Sequence, residues 1–109
     1  MISNAKQTKS PPEAVCNRIF HMFGDRWTLR IASVLRGGER RYKEIAKALG
    51  INSATLSTRL KRLEDLELVT RNEETIDKLS VTYKLTKSGL ELLPVYDEIV
   101  KFGQKIIKH

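Results

Sequence analysis

Apolar residues recur at helical spacing in the first third of the chain, which predicts two helices. Residues 10–13 form a capping-box pattern, with Ser10 as the N-cap and Pro11 at the first helical position of a helix that ends near Phe23. Asp25 is the predicted cap of a second helix, which ends at a pair of glycines. The residues on one face of this second helix are Trp27, Ile31, Val34 and Leu35. Such a one-sided pattern is typical of a helix that packs on a core.

Two further helices follow, with a very short connection between them. The third helix ends at Gly50, and Asn52 is the predicted cap of the fourth. The inward faces are Ile45, Ala46 and Leu49 on the third helix and Leu56, Leu60 and Leu63 on the fourth. Because only Gly50 and Ile51 turn the chain between them, the pair has the tight connection of a helix-turn-helix.

Beyond the fourth helix the apolar pattern changes from helical spacing to alternation. Residues 68–71 and 81–85 predict two short strands, and the polar stretch 72–80 predicts the long tip of a β-hairpin. Thr86 is the predicted cap of a last helix, in which Pro94 is a candidate for a kink near the second or third turn. This order of elements predicts a mainly α winged helix-turn-helix with a small β-hairpin wing.

Chain length and charge narrow the choice of partner. At 109 residues the chain suits one domain, which we expect at 13–109 behind a flexible tail at 1–12. Twenty Lys and Arg against thirteen Asp and Glu give a net charge of +7, and residues 1–50 hold ten basic but only four acidic side chains. This excess favours a polyanion, with nucleic acid ahead of an anionic membrane surface.

The remaining composition argues against export and against catalysis. The single cysteine, Cys16, excludes an intrachain disulfide and fits a reducing compartment. There is no signal-like segment and no apolar run near the roughly 20 residues of a membrane span, so we expect a cytoplasmic protein. With only His21 and His109, no second cysteine and no clustered carboxylates, we expect no enzymatic activity, no metal and no cofactor.

The outward face of the fourth helix is the main candidate for DNA recognition. Short and hydroxylated side chains let a helix enter the major groove, and the basic side chains that follow can reach base edges or phosphates. The candidate DNA-binding residues on this helix are Ser53, Ala54, Thr55, Ser57, Thr58, Arg59, Lys61 and Arg62. The alternative is an ordinary amphipathic helix whose polar face is only solvated.

Two neighbouring segments supply further candidates for DNA contact. Arg40, Arg41 and Tyr42 precede the third helix, where basic side chains can hold the phosphates that flank a groove. Alternatively they form a solvated loop with Tyr42 packed in the core. Lys78 is the basic residue of the hairpin tip, where the acidic neighbours are Glu73, Glu74 and Asp77. Because phosphate repels these carboxylates, we expect the wing to touch DNA weakly.

Both terminal helices carry more apolar surface than one core can cover. The apolar arc of the last helix spans about 180° and that of the first about 160°, whereas one-sided burial needs roughly 100°. We therefore expect the helical termini to form a homodimer interface. Its candidate residues are Val15, Ile19, Phe20, Leu93, Tyr96, Val100, Phe102 and Ile107. The alternative is that the last helix folds back and buries everything within one subunit.

The segments GDRWTLRIASVLRGGERRYKEIAKALGINSATLSTRLKRLEDLELVTR and YKLTKSGLELLPV resemble the HxlR-type regulators, a bacterial and archaeal branch of winged-helix transcription factors. The resemblance implies a homodimer built from the first and last helices, operator binding near promoters and, in some members, an oxidant-sensing or electrophile-sensing thiol near the N-terminus. Cys16 occupies that position. Three positions depart from the family pattern, with Asn17 for proline, Glu67 for glycine and Phe102 for tryptophan.

The function expected from these observations is sequence-specific binding of double-stranded DNA by a homodimer, on a pseudo-palindromic operator. Cys16 has a competing interpretation as a small buried hydrophobe, and the effector is left unknown. A second function class is a winged-helix protein–protein interaction module without a DNA role. That module would have a neutral outward face on the fourth helix, and Lys61 with Arg62 there argues against it.

Overall fold

A computed structural model describes residues 10–73 and 80–107 and has the element order of a winged helix-turn-helix. The helices are α1 (Glu13–Phe23), α2 (Thr28–Val34), α3 (Tyr42–Leu49), α4 (Ser53–Asp65) and α5 (Leu92–Ile106), and the strands are β1 (Arg40–Arg41), β2 (Val69–Asn72) and β3 (Thr82–Leu85). Single 3-10 turns extend α2 at Leu35–Gly37 and precede α5 at Gly89–Glu91. The predicted fold class, mainly α with a small wing, is confirmed.

The start of α1 differs from the predicted capping box. The N-cap is Pro12, and no side chain caps the helix. The carbonyl of Pro12 accepts from the backbone of Val15 and of Cys16, so Ser10 lies outside the helix. Pro11 could not open the helix because a residue before proline is pushed out of the helical region. The prediction of Ser10 as the cap was therefore wrong.

Asp25 caps α2 as predicted, although the helix begins only at Thr28. Oδ1 of Asp25 accepts from the backbone N–H of Trp27 at 2.9 Å and of Thr28 at 2.8 Å. Thr28, Ile31 and Ala32 are the buried residues of this helix. The connection between α1 and α2 is thus held by hydrogen bonds to one carboxylate.

The helix-turn-helix forms from local signals that the sequence carries plainly. Gly50 ends α3 in the left-handed conformation, with φ 63° and ψ 33°, which glycine adopts without a Cβ penalty. The side chain of Asn52 accepts from the backbone N–H of Thr55 at 2.9 Å and caps α4. The leucines of α4 that reach the core are Leu56, Leu60 and Leu63, each at most 1% exposed.

The sheet has a third strand that the alternation pattern does not predict. Its order is β1-β3-β2, and both pairings are antiparallel. Val69 pairs with Leu85, so these two apolar side chains meet on the core, while Arg40 of β1 pairs with Tyr83. Because β1 contains only two residues, it shows no period from which a strand could be predicted.

The last helix is joined closely to the wing. Gly89 packs so near the carbonyl of Leu68 that a Cβ there would lie 1.9 Å from that oxygen. The backbone N–H of Gly89 donates to the hydroxyl of Thr86 at 3.0 Å, so Thr86 holds the 3-10 turn that precedes α5, whereas α5 itself begins at Leu92 without the predicted side-chain cap. Pro94 occupies the first turn of α5, where a helix needs no donor, so the kink expected in a later turn has no cause.

Candidate nucleic-acid interface

The outward face of α4 is exposed over its first three turns. Ser53, Ala54, Ser57, Thr58 and Lys61 are exposed, while the leucines on the opposite face are buried. Thr55 is half-buried. The N-terminal backbone N–H groups of the helix lie at the same end as the short side chains, and helix N-termini attract anions. The outward face of α4 therefore carries short side chains next to the positive, N-terminal end of the helix dipole.

Tyr42 joins the two helices of the helix-turn-helix. Its hydroxyl donates to the carbonyl oxygen of Ser53 at 2.9 Å, and the Ser57 hydroxyl lies 2.9 Å from the Tyr42 hydroxyl oxygen. Its ring contacts that of Tyr83 in β3, with centroids 6.5 Å apart. Tyr42 therefore packs between α4 and the sheet, which supports its alternative interpretation as a packing residue.

The two arginines on α4 turn toward the α1–α2 connection. Arg59 Nε donates to Asp25 Oδ2, and Arg62 Nη1 lies 3.6 Å from the same oxygen. Arg62 also donates to the carbonyl of Met22 at 3.3 Å. Both side chains are only 23% exposed. The outward direction expected for Arg62 is not what the structure shows, and DNA contact by these two arginines stays a prediction.

Asp25 is held in its charged form by this cluster. Burial by itself raises the pKa of Asp25, but hydrogen bonds from the backbone and hydroxyl of Thr28, from the backbone of Trp27 and from Arg59 outweigh it. The net pKa of Asp25 is lower than the ordinary value of an aspartate. At neutral pH the carboxylate is therefore a fixed negative charge beside two arginines.

Lys61 is the exposed cation of α4. Its ammonium lies 3.1 Å from Asp65 Oδ1, one helical turn further on. The hydrogen bond that Lys61 donates to Asp65, together with the negative charges of Asp65 and Glu64, raises the pKa of Lys61. Both side chains of the pair are more than half exposed, and such surface pairs contribute little to stability. Lys61 is therefore free to exchange Asp65 for another anion.

The segment before α3 presents one exposed arginine, and α3 itself adds cations that the sequence analysis missed. Arg41 is exposed, whereas Arg40 is half-buried and donates to the carbonyl of Glu39 at 2.9 Å. Lys43 and Lys47 are exposed, four residues apart on the outer side of α3. The sequence signal that identifies them is their spacing of four residues on the polar face of the third helix.

The described part of the wing is more basic than its tip. Arg71 of β2 lies 3.3 Å from Glu73. A hydrogen bond with Tyr83, followed by one with Glu73, raises the pKa of Arg71 further above neutrality. Lys84 of β3 is exposed and pairs across the strands with Thr70. Lys78, the predicted wing contact, falls outside the residues that the structure describes.

Most residues assigned to a dimer interface lie on the surface of the single chain. The exposed ones are Val15, Ile19, Phe20, Val100, Phe102 and Ile107, to which Ile99 and Ile106 are added. Leu93 differs because it belongs to the chain's own core at 9% exposure, and Tyr96 is half-buried. Four of the named side chains, Phe20, Tyr96, Ile99 and Val100, line a groove of about 600 Å³ between α1 and α5. We use the name terminal-helix face for the following exposed apolar residues of α1 and of α5 with its C-cap: Val15, Ile19, Phe20, Ile99, Val100, Phe102, Ile106 and Ile107.

Cys16 lies on α1 and is half-buried. Its thiol is 3.8 Å from the carbonyl of Pro11, a weak contact at the start of the helix. Within the described residues no cluster of His, Cys, Asp or Glu could hold a metal ion. None of the helices described is long and apolar enough to cross a membrane.

These features place the chain among the winged helix-turn-helix proteins. It belongs to the HxlR-like helix-turn-helix family, whose family model matches residues 22–109. An uncharacterised HTH-type transcriptional regulator of Mycobacterium tuberculosis is 33% identical over 90 residues, which are 83% of this chain and 57% of that protein. The chain thus spans little more than half the length of this relative. The resemblance drawn from the sequence is confirmed.

Further relatives match over most of both chains. The HTH-type transcriptional regulator YodB of Bacillus subtilis is 37% identical over 81 residues, which cover 73% of this chain and 72% of YodB. A crystal structure described as a MarR-family regulator from Porphyromonas gingivalis W83 superposes with a TM-score of 0.78 at 31% identity, covering 90% of this chain and 97% of that one. Reduced YodB superposes with a TM-score of 0.70 at 32% identity, covering 84% and 91%.

Proposed function

We propose that this protein is a transcriptional regulator that binds duplex DNA by inserting the N-terminal half of α4 into the major groove. The observation that carries the proposal is the contrast between the two faces of α4. The inner leucines are buried, while the outer face from Ser53 to Lys61 is exposed and short enough for close approach to bases. Thr58 lies at the middle of this face.

Phosphate contacts flanking the groove would come from the exposed cations around α4. Arg41, Lys43 and Lys47 stand before and on α3, the helix that crosses the DNA backbone in a helix-turn-helix. Arg71 and Lys84 on the strands of the wing provide a second group. With a net charge of +7, the chain is drawn to a polyanion before any specific contact forms.

The terminal-helix face supports binding as a homodimer. A soluble protein rarely leaves so many large apolar side chains exposed unless a partner covers them. A two-fold dimer presents two copies of α4, which read a pseudo-palindromic operator with half-sites one helical turn or a multiple apart, about 34 Å per turn. We expect such a regulator to act in the cytoplasm, where it meets the DNA.

Selection from a randomised duplex library tests this proposal. We expect the full chain to enrich an inverted repeat, and Thr58→Ala to relax the preference at a few positions in each half-site. Gln104→Ala, an exposed change on α5 away from α4, is the matched control and keeps the preference. Enrichment of no duplex by the folded protein would contradict DNA binding and favour a protein–protein interaction module.

A thiol response at Cys16 is a second candidate function. It is favoured by the similarity to YodB, of which crystal structures exist in reduced, quinone-bound and diamide-treated forms. Cys16 lies on α1, one turn before Ile19 and Phe20, so a modification there would disturb the terminal-helix face. We expect a quinone to release DNA from the wild type and to spare Cys16→Ser. Equal release from both proteins would leave Cys16 as a packing residue.

A further inference from the structure

The carboxylate of Asp25 joins α1, which carries part of the terminal-helix face, to α4, the helix proposed to read DNA. We infer that Asp25, with Arg59 and Arg62, is a positioning device that fixes the angle between α1 and α4 and thereby sets the half-site spacing that a dimer accepts. The effect on half-site spacing rests on the proposed DNA binding. The effect on the angle between α1 and α4 requires only the single chain.

Three hydrogen bonds that do not involve the arginines hold the carboxylate of Asp25 in place. Oδ1 accepts the two backbone N–H groups that begin α2, and Oδ2 accepts the hydroxyl of Thr28 at 3.0 Å. Thr28 is fully buried, so this hydroxyl belongs to the rigid interior. A carboxylate with three such donors is a fixed anchor for any cation that binds it.

The arginines extend this anchor to α4 and back to α1. Arg59 binds Oδ2 directly, and Arg62 approaches the same oxygen while donating to the carbonyls of Met22 at 3.3 Å and His21 at 3.5 Å. Those carbonyls belong to the last turn of α1, where a helix has unpaired acceptors and a partial negative charge. One guanidinium therefore bridges the end of α1 and the anchor.

Few other contacts determine where α1 points. None of its residues is buried, in contrast to every other helix of the described chain. Among the hydrogen bonds and ion pairs of the described residues, those joining α1 to α4 come from Arg62. The apolar groove beside α1 has Asp25 on its wall, so a subunit seated there contacts the same connection. The cluster of Asp25, Arg59 and Arg62 thus fixes the orientation of α1, which packing alone does not determine.

The direct test measures the angle without DNA. Spin labels at Arg18→Cys on α1 and Lys61→Cys on α4, in a Cys16→Ser background, report one intramolecular distance when labelled protein is diluted with unlabelled protein. Asp25→Asn keeps an oxygen for the two backbone donors but removes the charge that holds the arginines. We expect a broader and shifted distance distribution. Asp97→Asn removes the same charge from the exposed pair with Arg36 and should leave the distribution unchanged.

The second measurement connects the angle to function. Operators with the half-site spacing varied one base pair at a time should show a sharp optimum for the wild type and for Asp97→Asn. In Asp25→Asn we expect the preference for the optimal spacing to fall roughly tenfold, with affinity for an isolated half-site unchanged. A merely structural defect would weaken half-site and full-site binding together.

Arg62→Gln provides a second variant if Asp25→Asn does not fold. It leaves the cap of α2 and the Asp25–Arg59 pair intact and should broaden the same distance distribution. Unchanged distributions in both variants would overturn the positioning role, whatever the DNA results are. Failure of the wild type to bind any duplex would instead refute the proposed function. A broadened distribution with an unaltered spacing optimum would overturn the link to operator choice.

Discussion

Replacing Gly89 with alanine is expected to damage the junction between the wing and the last helix. A Cβ at this position would lie 1.9 Å from the carbonyl oxygen of Leu68 and 3.1 Å from Leu85 Cδ2. Since the oxygen belongs to the backbone, it cannot rotate away as a side chain could. Relief requires the turn at 86–89 to separate from residue 68.

The expected loss of unfolding free energy follows from the interactions that Gly89→Ala must break. The backbone N–H of Thr86 donates to the same Leu68 oxygen at 3.0 Å, so separating the two segments loses that hydrogen bond, worth about 1 kcal/mol. Overpacking a tight site costs typically 1–3 kcal/mol more. We expect Gly89→Ala to lower the free energy of unfolding by about 3 kcal/mol, a large part of the 5–15 kcal/mol of a typical domain.

Urea denaturation followed by circular dichroism measures this loss. Gly103→Ala is the matched control, because a Cβ there meets nothing within 4 Å and the residue lies inside a helix. We expect that control to be neutral or more stable by up to about 1 kcal/mol. If Gly89→Ala unfolds at the same urea concentration as the wild type, the close approach of Gly89 to Leu68 does not exist in solution.

Four further outcomes are expected. Glu67 has φ 60°, so Glu67→Gly should be more stable than Glu67→Ala by about 1 kcal/mol in urea denaturation, and equal stability would show that no strain exists there. Phe20→Glu should give a monomer in light scattering while Arg18→Glu does not, and two dimers would exclude Phe20 from the interface. Arg41→Ala should weaken all duplexes alike and flatten the slope of log affinity against log salt by roughly 0.9 per subunit, whereas an unchanged slope with lost operator preference would indicate a base contact. Because the folded-state pKa of Asp25 is lowered, its stabilisation is present above the unfolded pKa and lost as pH falls through the folded one. The difference in unfolding free energy between wild type and Asp25→Asn should therefore shrink in acid. A difference that stays constant with pH would refute the stabilising role of the charged carboxylate.

The helices and their buried faces were predictable because their signals are local. The leucine stripe of α4, the Asn52 cap and the left-handed Gly50 each act within a few residues, and the structure has all three. The same locality explains the error at Ser10. The capping-box pattern takes no account of two successive prolines, the second of which excludes the first from the helix.

The remaining features depend on residues that are distant in sequence. Arg40 and Arg41 form a strand only because β3, some forty residues later, supplies the pairing. The assignment of Leu93 to a dimer interface failed to anticipate its burial for a similar reason. The apolar arc of α5 shows that a second surface is needed, but packing against α2 decides which of its apolar residues the chain covers itself.

The arginines of α4 show this limit most clearly, and they change how variants of that helix are interpreted. Arg59 and Arg62 lie at the border of the outward face, and a side chain as long as arginine can reach to either side. Only the position of Asp25, more than thirty residues earlier, turns them toward α1. Loss of operator preference in Arg62→Ala therefore has two explanations, a lost base contact or a lost helix angle. Lys61→Ala on the adjoining exposed surface separates them, because it removes a cation of the proposed DNA-binding face that does not belong to the Asp25 cluster. A base contact by Arg62 lowers discrimination within an isolated half-site, whereas a lost angle appears only when two half-sites are joined.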